Sequence, residues 1–378
     1  MTPLDWLLIT FCLTATFLHI VTSLLAMRRC RQRTISLPAP ERAPLVSILR
    51  PVRGLDRCEE VTLASSFALD YPNFELIFCC ADADDPAVAW IRSLIARHPD
   101  VEARLLIGNH EICLNPKLNN LVKGWRAAAG DWIVFADSNV LMPRDYVQRL
   151  FVGWRPDTGV LCAPPIACNV IGFWAELECA FLNGYQARWQ YAADSVGMGF
   201  AQGKTMLIRR SDLAQAGGIQ VLAQEIAEDA AVTKLVHSLG RCVALVDAPF
   251  GQPLGPRTAR QVWDRQTRWA RLRRLSFPGF FAIEILTGCL FPFAAAVWVA
   301  DALETPPAVL LAGLSALWFG SEALLAWVAG WHVRLWSPFA WALRDALLPL
   351  VWTHAWLSEG YAWRGNEIST VQQSAPMH

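Results

Sequence analysis

Trp132-Ile133-Val134-Phe135-Ala136-Asp137-Ser138-Asn139 is a five-residue apolar run closed by a carboxylate and two small polar residues. Its length suits a strand better than a helix, and an uninterrupted apolar run predicts a strand buried on both faces. Comparable runs stand at residues 45–49, 74–80 and 103–107, with amphipathic stretches at 59–69 and 88–97 between them. Strand alternating with helix predicts an α/β domain whose mostly parallel sheet is covered on both faces. In such sheets ligands bind beyond the carboxyl ends of the strands, so acids at those ends are the first candidates for chemistry.

Downstream, residues 172–191 carry Phe173, Trp174, Phe181, Tyr185 and Trp189. The segment reads as a helix with a broad apolar face, either packed in a core or forming the wall of a groove for lipid. Gly217-Gly218 predicts a turn, 224–238 a helix and 242–246 another strand.

With 378 residues, 54% hydrophobic and 17% charged, the chain is long enough for one catalytic-sized domain plus membrane helices. Residues 5–27 contain no Lys or Arg and are long enough to cross a hydrocarbon core; Arg28, Arg29, Arg31 and Arg33 follow. A cleaved signal would carry its charge before the apolar run, so this one predicts a retained anchor. Basic flanks stay inside, which puts the N-terminus out and the chain after Arg28 in the cytosol.

Residues 281–300 and 308–328 predict two further spans joined by a short outer loop, 301–307. Residues 338–358 are apolar but carry Arg344, Asp345 and His354, so this block reads as spanning or interfacial. The expected organisation is an anchor (1–34), a cytosolic domain (35–255), a basic juxtamembrane segment (256–278) and C-terminal membrane helices with a tail (279–378). A net charge of zero offers nothing for nucleic acid. Eleven cysteines without metal-type spacing, Cys79-Cys80 among them in a strand-like run, read as reduced core residues.

Three acidic groups stand at expected strand or helix ends. Asp82, Asp84 and Asp85 precede Pro86; a carboxylate there suits a nucleobase or ribose, and equally a solvated turn. Asp137 suits a hard cation such as Mg²⁺ or Mn²⁺, which would offset a leaving diphosphate in sugar-nucleotide chemistry. Glu228 and Asp229 stand at a helix start, where either could act as a general base or simply cap the helix. Arg265-x-x-Arg268-Trp269 places two guanidinium groups on one helical face beside an indole, a phosphate-binding pattern that also serves as a lipid contact or topology signal.

In their order these elements resemble the membrane-bound glycosyltransferases of the GT-A fold, which carry spaced aspartates and a Q/R-x-x-R-W motif ahead of membrane helices. Within that group the chain resembles the ceramide glucosyltransferase family. The resemblance rests on Leu49-Arg50-Pro51-Val52-Arg53-Gly54, Leu69-Asp70-Tyr71-Pro72, Asp82-Ala83-Asp84-Asp85-Pro86-Ala87, Asn115-Pro116-Lys117-Leu118-Asn119-Asn120-Leu121, Gln215-Ala216-Gly217-Gly218 and Ile226-Ala227-Glu228-Asp229. It runs from about Val46 to Arg274, and more loosely to Trp363-Arg364-Gly365.

The resemblance implies a Rossmann-like mixed sheet with one N-terminal and two to three C-terminal membrane helices. It implies that Asp82 contacts uridine, Asp137 holds metal and diphosphate, and Asp229 is the base. Lys117 would lie near the donor's nucleotide or phosphates, and Arg265, Arg268 and Trp269 would close over diphosphate and acceptor. Asn139 stands where many relatives carry a second metal-binding aspartate.

The implied reaction is an inverting transfer of glucose or a related sugar from a UDP-sugar to the primary hydroxyl of ceramide. Diacylglycerol or a hopanoid polyol is the rival acceptor, and a non-catalytic membrane scaffold or transport protein the rival class. Three or four apolar blocks are few for a polysaccharide-secreting channel. An excess of Arg over Lys and abundant Ala are associated with a bacterial source, hence the cytoplasmic face of an inner membrane, among membrane lipids. The sequence specifies no oligomeric state.

Overall fold

The computed structural model of the protein describes residues 1–31, 37–38, 40–56, 58–358, 360–363 and 366–369. Arg33, Ser36 and Ala39 of the expected basic flank and linker, and Arg364-Gly365, lie outside the described residues. The chain divides into two compact units: Arg29–Asn169 with Ala193–Gly255, and Met1–Arg28 with Val170–Ala192 and Pro256–His378.

The first of these contains β1 (Val46–Val52), β2 (Phe74–Cys80), β3 (Ala103–Ile107), β4 (Trp132–Ala136), β5 (Thr158–Cys162), β6 (Pro165–Ile171, to Asn169), β7 (Thr205–Arg209), β8 (Cys242–Leu245) and β9 (Phe250–Pro256, to Gly255). Seven strands form one sheet in the order β3-β2-β1-β4-β7-β5-β8, while β6 and β9 pair separately. β1, β2, β3 and β4 run parallel, and β7 runs antiparallel to both its neighbours, β4 and β5. The sheet is therefore mixed. Every residue of β1 and β5 is buried, as is all of β4 beyond Trp132, because helices cover both faces; the edge strand β3 is only partly covered. One core joins Ile48, Phe78, Val134, Leu161, Leu207 and Ala244 across the sheet with Ile91 and Leu150 from flanking helices.

The expected strands at 74–80, 103–107 and 132–136 stand as read, and β1 extends to Val52. Two expected helices are shorter than their periodicity. Residues 59–69 form a helix at Glu59–Ser65 followed by a 3₁₀ turn, and 224–238 becomes helical only at Glu228. All eleven cysteines are free, and Cys79 and Cys80 are buried, as expected.

In the other unit, Pro3–Cys30 is one helix with Leu7, Leu13 and Phe17 each 64% exposed, a pattern that suits lipid rather than water. Among the described residues two helices, Pro3–Cys30 and Pro307–Ala329, are long and apolar enough to cross a membrane. The expected single span at 281–300 is corrected: it is broken into Pro278–Thr287 and Leu290–Trp298, bent by 50° at Gly288, and counts as a third span only if the pair is taken together. Residues 172–191 are interrupted too. Helix Phe173–Cys179 passes into a π-helical stretch, Ala180–Ala187, before Arg188–Ser195.

The ambiguous block forms one helix, Ser337–Leu357, containing Pro349. Its Arg344 is fully buried, reaching Glu322 through two bonds of 2.9 and 2.8 Å and Asp345 at 2.8 Å. Asp345 in turn accepts from Cys289 N (2.9 Å) and Trp318 Nε1 (3.1 Å). The charge is tolerated because it faces protein partners rather than hydrocarbon.

Candidate active site

Four chain segments converge at the carboxyl edge of the sheet, and Asp137 is their centre. It is the first residue after β4, where the backbone leaves the sheet. Arg50 holds that exit loop from β1: one guanidinium nitrogen donates to the carbonyls of Asp137 (2.9 Å), Ser138 (2.8 Å) and Val140 (3.0 Å), and another to Thr62 O (2.7 Å) and Ser66 Oγ. Burial pushes the Arg50 pKa down to about 10, which leaves it charged at neutral pH. Ser138 is fixed as well, its Oγ donating to Glu59 at 2.7 Å and its carbonyl accepting from Thr62 Oγ1 at 2.6 Å.

Two lysines meet the Asp137 carboxylate. Lys117 Nζ lies 2.6 Å from Oδ1 and Lys204 Nζ 2.8 Å from Oδ2. Lys117 enters from the first turn of helix Pro116–Ala127, whose start is capped by Asn115 accepting from Lys117 N and Leu118 N. Its ammonium also reaches Glu228 Oε1 (2.5 Å) and Gly203 O (2.6 Å). Lys204 arrives on the residue before β7; because that strand is antiparallel, its beginning lies at the edge where β4 ends. The Lys204 ammonium also donates to Asn139 Oδ1 at 3.1 Å. Burial would raise the Asp137 pKa, but the two ammonium groups outweigh it and hold the carboxyl below the usual carboxylate range. Burial likewise disfavours the Lys117 charge, and Asp137 and Glu228 reverse that, raising its pKa.

Glu228 and Asp229 open helix Glu228–Ser238 with different duties. Glu228 is buried, with Oε1 on Lys117 and Oε2 accepting from Asn115 Nδ2 at 2.7 Å. Asp229 is half-buried and accepts backbone N–H bonds from Gly203 (3.0 Å) and Ala230 (2.9 Å). Burial and then the neighbouring Glu228 charge push its pKa up to about 6. Gly203 has no room for a side chain: an added Cβ would stand 2.7 Å from Glu228 Oε1 and 3.2 Å from Lys117 Nζ.

Asp82 lies apart from this cluster, exposed on the loop after β2, accepting from Asp84 N at 3.1 Å. β2 and β4 run parallel on either side of β1, so Asp82 and Asp137 follow strands that end on the same edge. Asp85 is a structural residue: it caps helix Pro86–Arg97 through Ala87 N (2.8 Å), and its other oxygen accepts from Gly54 N (2.8 Å).

In the unit that carries the apolar helices, Arg265, Arg268 and Trp269 lie on helix Ala259–Ser276, which begins with a Thr258–Gln261 capping box. Arg265 pairs with the fully buried Glu178, which Arg257 approaches at 3.5 Å. The Arg265 guanidinium also lies 5.9 Å from the Trp269 ring centre.

Lys204 and Glu178 carry no reading in the sequence. Arg50 and Asn115 stand within matched stretches but without a role. The available signals were Lys204-Thr205 directly ahead of the apolar run 206–208, and a carboxylate pair, Glu176 and Glu178, inside an aromatic-rich segment.

A mixed sheet in this strand order, with acids and cations gathered at the carboxyl edge of its parallel half, defines an α/β domain of the GT-A glycosyltransferase type. The chain belongs to glycosyl transferase family 21, whose profile matches residues 8–375. It is 28% identical over 249 residues to Ceramide glucosyltransferase 1 of Caenorhabditis elegans, covering 65% of this chain and 53% of that one. Ceramide glucosyltransferase 3 of the same organism is 26% identical over 333 residues, covering 85% and 72%. The chain thus spans from about half to about three quarters of the length of these two curated relatives. In fold it is similar to a mannosyltransferase of Pyrobaculum calidifontis solved in complex with GDP-Man and Mn²⁺, with a TM-score of 0.53 at 18% identity, covering 90% of this chain and 99% of that one.

Proposed function

We propose that the protein transfers glucose, or a related hexose, from a UDP-sugar to the primary hydroxyl of ceramide, with inversion to a β-glycoside. The observation that carries the reading is the placement of Asp229: a half-buried carboxylate with its pKa near 6, beside a lysine-bound Asp137 at the edge where this fold class receives ligands. Family membership and the names of the relatives support the sugar and the ceramide acceptor.

In this mechanism Asp229 accepts the proton of the lipid hydroxyl as the oxygen attacks the anomeric carbon. The bond from that carbon to the β-phosphate oxygen breaks on the opposite face, and its electron pair leaves with UDP. Asp82 is assigned to the uridine, and Lys117 with Asp137 to the diphosphate end of the pocket. For Arg265, Arg268 and Trp269 the assigned role, contact with the diphosphate, rests on the motif. Glu228 is a positioning residue, since both its oxygens are committed to Lys117 and Asn115.

A divalent cation, Mg²⁺ or Mn²⁺, finds one carboxylate and one amide oxygen here, on Asp137 and Asn139. That sparse set would suit an ion that keeps several waters only with Lys204 displaced, because the Lys204 ammonium already stands on both residues and Lys117 on the other oxygen of the carboxylate. When bound, the ion would supply positive charge to the leaving diphosphate. The catalytic unit is assigned to the cytosolic side of a bacterial inner membrane, with the apolar helices as its attachment.

The test is a matrix assay of purified protein in lipid with several UDP-sugars and with ceramide, diacylglycerol and hopanoid acceptors, products identified by mass. Hexosylceramide from UDP-glucose is expected. Product on diacylglycerol or hopanoid alone refutes the acceptor assignment, and no product with any pair refutes the enzyme reading.

A further inference from the structure

We propose that Lys204 is a tethered counter-ion for the donor diphosphate, standing where a divalent cation would sit on Asp137, so that the nucleotide binds without added metal. The inference deepens the UDP-sugar reading above and rests on it.

The geometry assigns the place. Lys204 Nζ contacts Asp137 Oδ2 at 2.8 Å and Asn139 Oδ1 at 3.1 Å, the two side-chain oxygens a metal ion would use. Magnesium binds oxygen at about 2.0–2.1 Å, so ammonium and metal cannot both occupy that position. The lysine is held in register: Asp137 N donates to Lys204 O at 3.0 Å, and the next pair along the ladder is Ala136 with Thr205. Its backbone is therefore fixed beside that of Asp137, which keeps the ammonium within reach of the same carboxylate.

Charge points the same way. The other oxygen of Asp137 holds Lys117, itself fastened to Glu228 and Gly203 O, so Lys117 is shared between two carboxylates and Lys204 brings a second ammonium to Asp137. The chain has only four lysines among 33 basic residues, and two of them stand on this side chain. A compact ammonium reproduces a point charge better than a planar guanidinium. Among the described residues no group of three His, Cys, Asp or Glu side chains could hold a metal ion. As the bond from the anomeric carbon to the phosphate oxygen breaks, the charge that develops on UDP would be met by the Lys204 ammonium, and no further reactant is required.

The experiment uses the full chain, purified in lipid nanodiscs, and measures UDP binding by calorimetry and transfer rate, each in chelator and in Mn²⁺. Wild type is expected to bind UDP and turn over in chelator, with affinities in the two conditions agreeing within about threefold. Lys204→Met should bind UDP at least about tenfold more weakly in chelator and regain affinity in Mn²⁺, because Asp137 and Asn139 are then open to the ion. Lys204→Arg should retain part of the chelator-resistant binding, which separates charge from a folding defect. Loss of wild-type UDP binding in chelator with recovery in Mn²⁺ overturns the proposal, as does metal-independent binding that Lys204→Met leaves unchanged. Failure to bind UDP under either condition instead overturns the donor assignment on which the proposal rests.

Discussion

The ammonium of Lys117 lies 2.5 Å from Oε1 of Glu228, and through it two adjacent carboxylates acquire different partners. Glu228 is spent on Lys117 and Asn115, while Asp229, among the described residues, accepts only the backbone N–H bonds of Gly203 and Ala230. Asp229→Asn is expected to keep UDP-sugar binding and to slow transfer by about 10²–10⁴-fold, the usual contribution of a positioned base. Glu228→Gln should instead destabilise the fold by about 1–3 kcal/mol, because Lys117 keeps its charge and loses a partner. Binding isotherms and melting curves of the two variants check this, and the reverse pattern exchanges their roles.

The raised pKa of Asp229 has a definite sign in both rate and stability. As the proposed base, Asp229 acts in its ionised form, so the rate should fall as pH drops through about 6. Folded Asp229 binds its proton more tightly than an unfolded carboxyl near 3.8, so its contribution to stability is complete below 3.8 and lost as pH rises through about 6. Asp229→Asn should therefore melt at or above the wild-type temperature near neutral pH, and the difference should vanish in acid. A variant that melts lower near neutral pH contradicts the shift.

Gly203→Ala tests the packing around the cluster. The new Cβ stands 2.7 Å from Glu228 Oε1, 3.2 Å from Lys117 Nζ and 3.3 Å from Asp229 Oδ2, and Glu228 is too well tied to swing aside. We expect about 1–3 kcal/mol of destabilisation and a fall in kcat. Wild-type turnover by this variant would mean that the three side chains are looser than their contacts indicate.

Arg50 should be among the least replaceable residues outside the reaction itself. Arg50→Met removes the guanidinium donor from the carbonyls of Thr62, Asp137, Ser138 and Val140; the first three keep another donor, and the Val140 carbonyl loses its Arg50 bond at a cost of about 1–3 kcal/mol. Lysine cannot replace the planar fork. Both variants should unfold at lower temperature and lose UDP binding; an unchanged melting temperature would refute the role.

Within the unit of apolar helices, Glu322→Gln or Arg344→Met removes one partner of a fully buried pair, at a cost of about 3–5 kcal/mol. The double variant should lose less than the sum of the two. Thermal unfolding in nanodiscs measures the difference, and strict additivity would show the pair to be uncoupled.

The central strands were legible because each is a short apolar run with buried faces, and hydrophobicity alone marks such a segment. Asp82 and Asp137 stood out for a related reason, as carboxylates just after an apolar run, and Asp229 as one of two acids at an expected helix start. Helix limits at Glu59–Ser65 and Glu228–Ser238, and the break at Gly288, were misjudged because apolar spacing continues past the point where the backbone turns.

By itself the sequence determined an α/β domain, an N-terminal helix long and apolar enough to cross a membrane, and a set of acids at strand ends and a helix start, all properties of residues near one another in the chain. Only the tertiary structure decided what holds Asp137. Lys117 and Lys204 are 20 and 67 residues from it, and they meet it because a helix and an antiparallel strand both begin at the sheet edge where β4 ends. Local hydrophobic pattern selects the elements. Which cations then share a carboxylate depends on strand order and direction, which become definite only when the sheet has closed around its core.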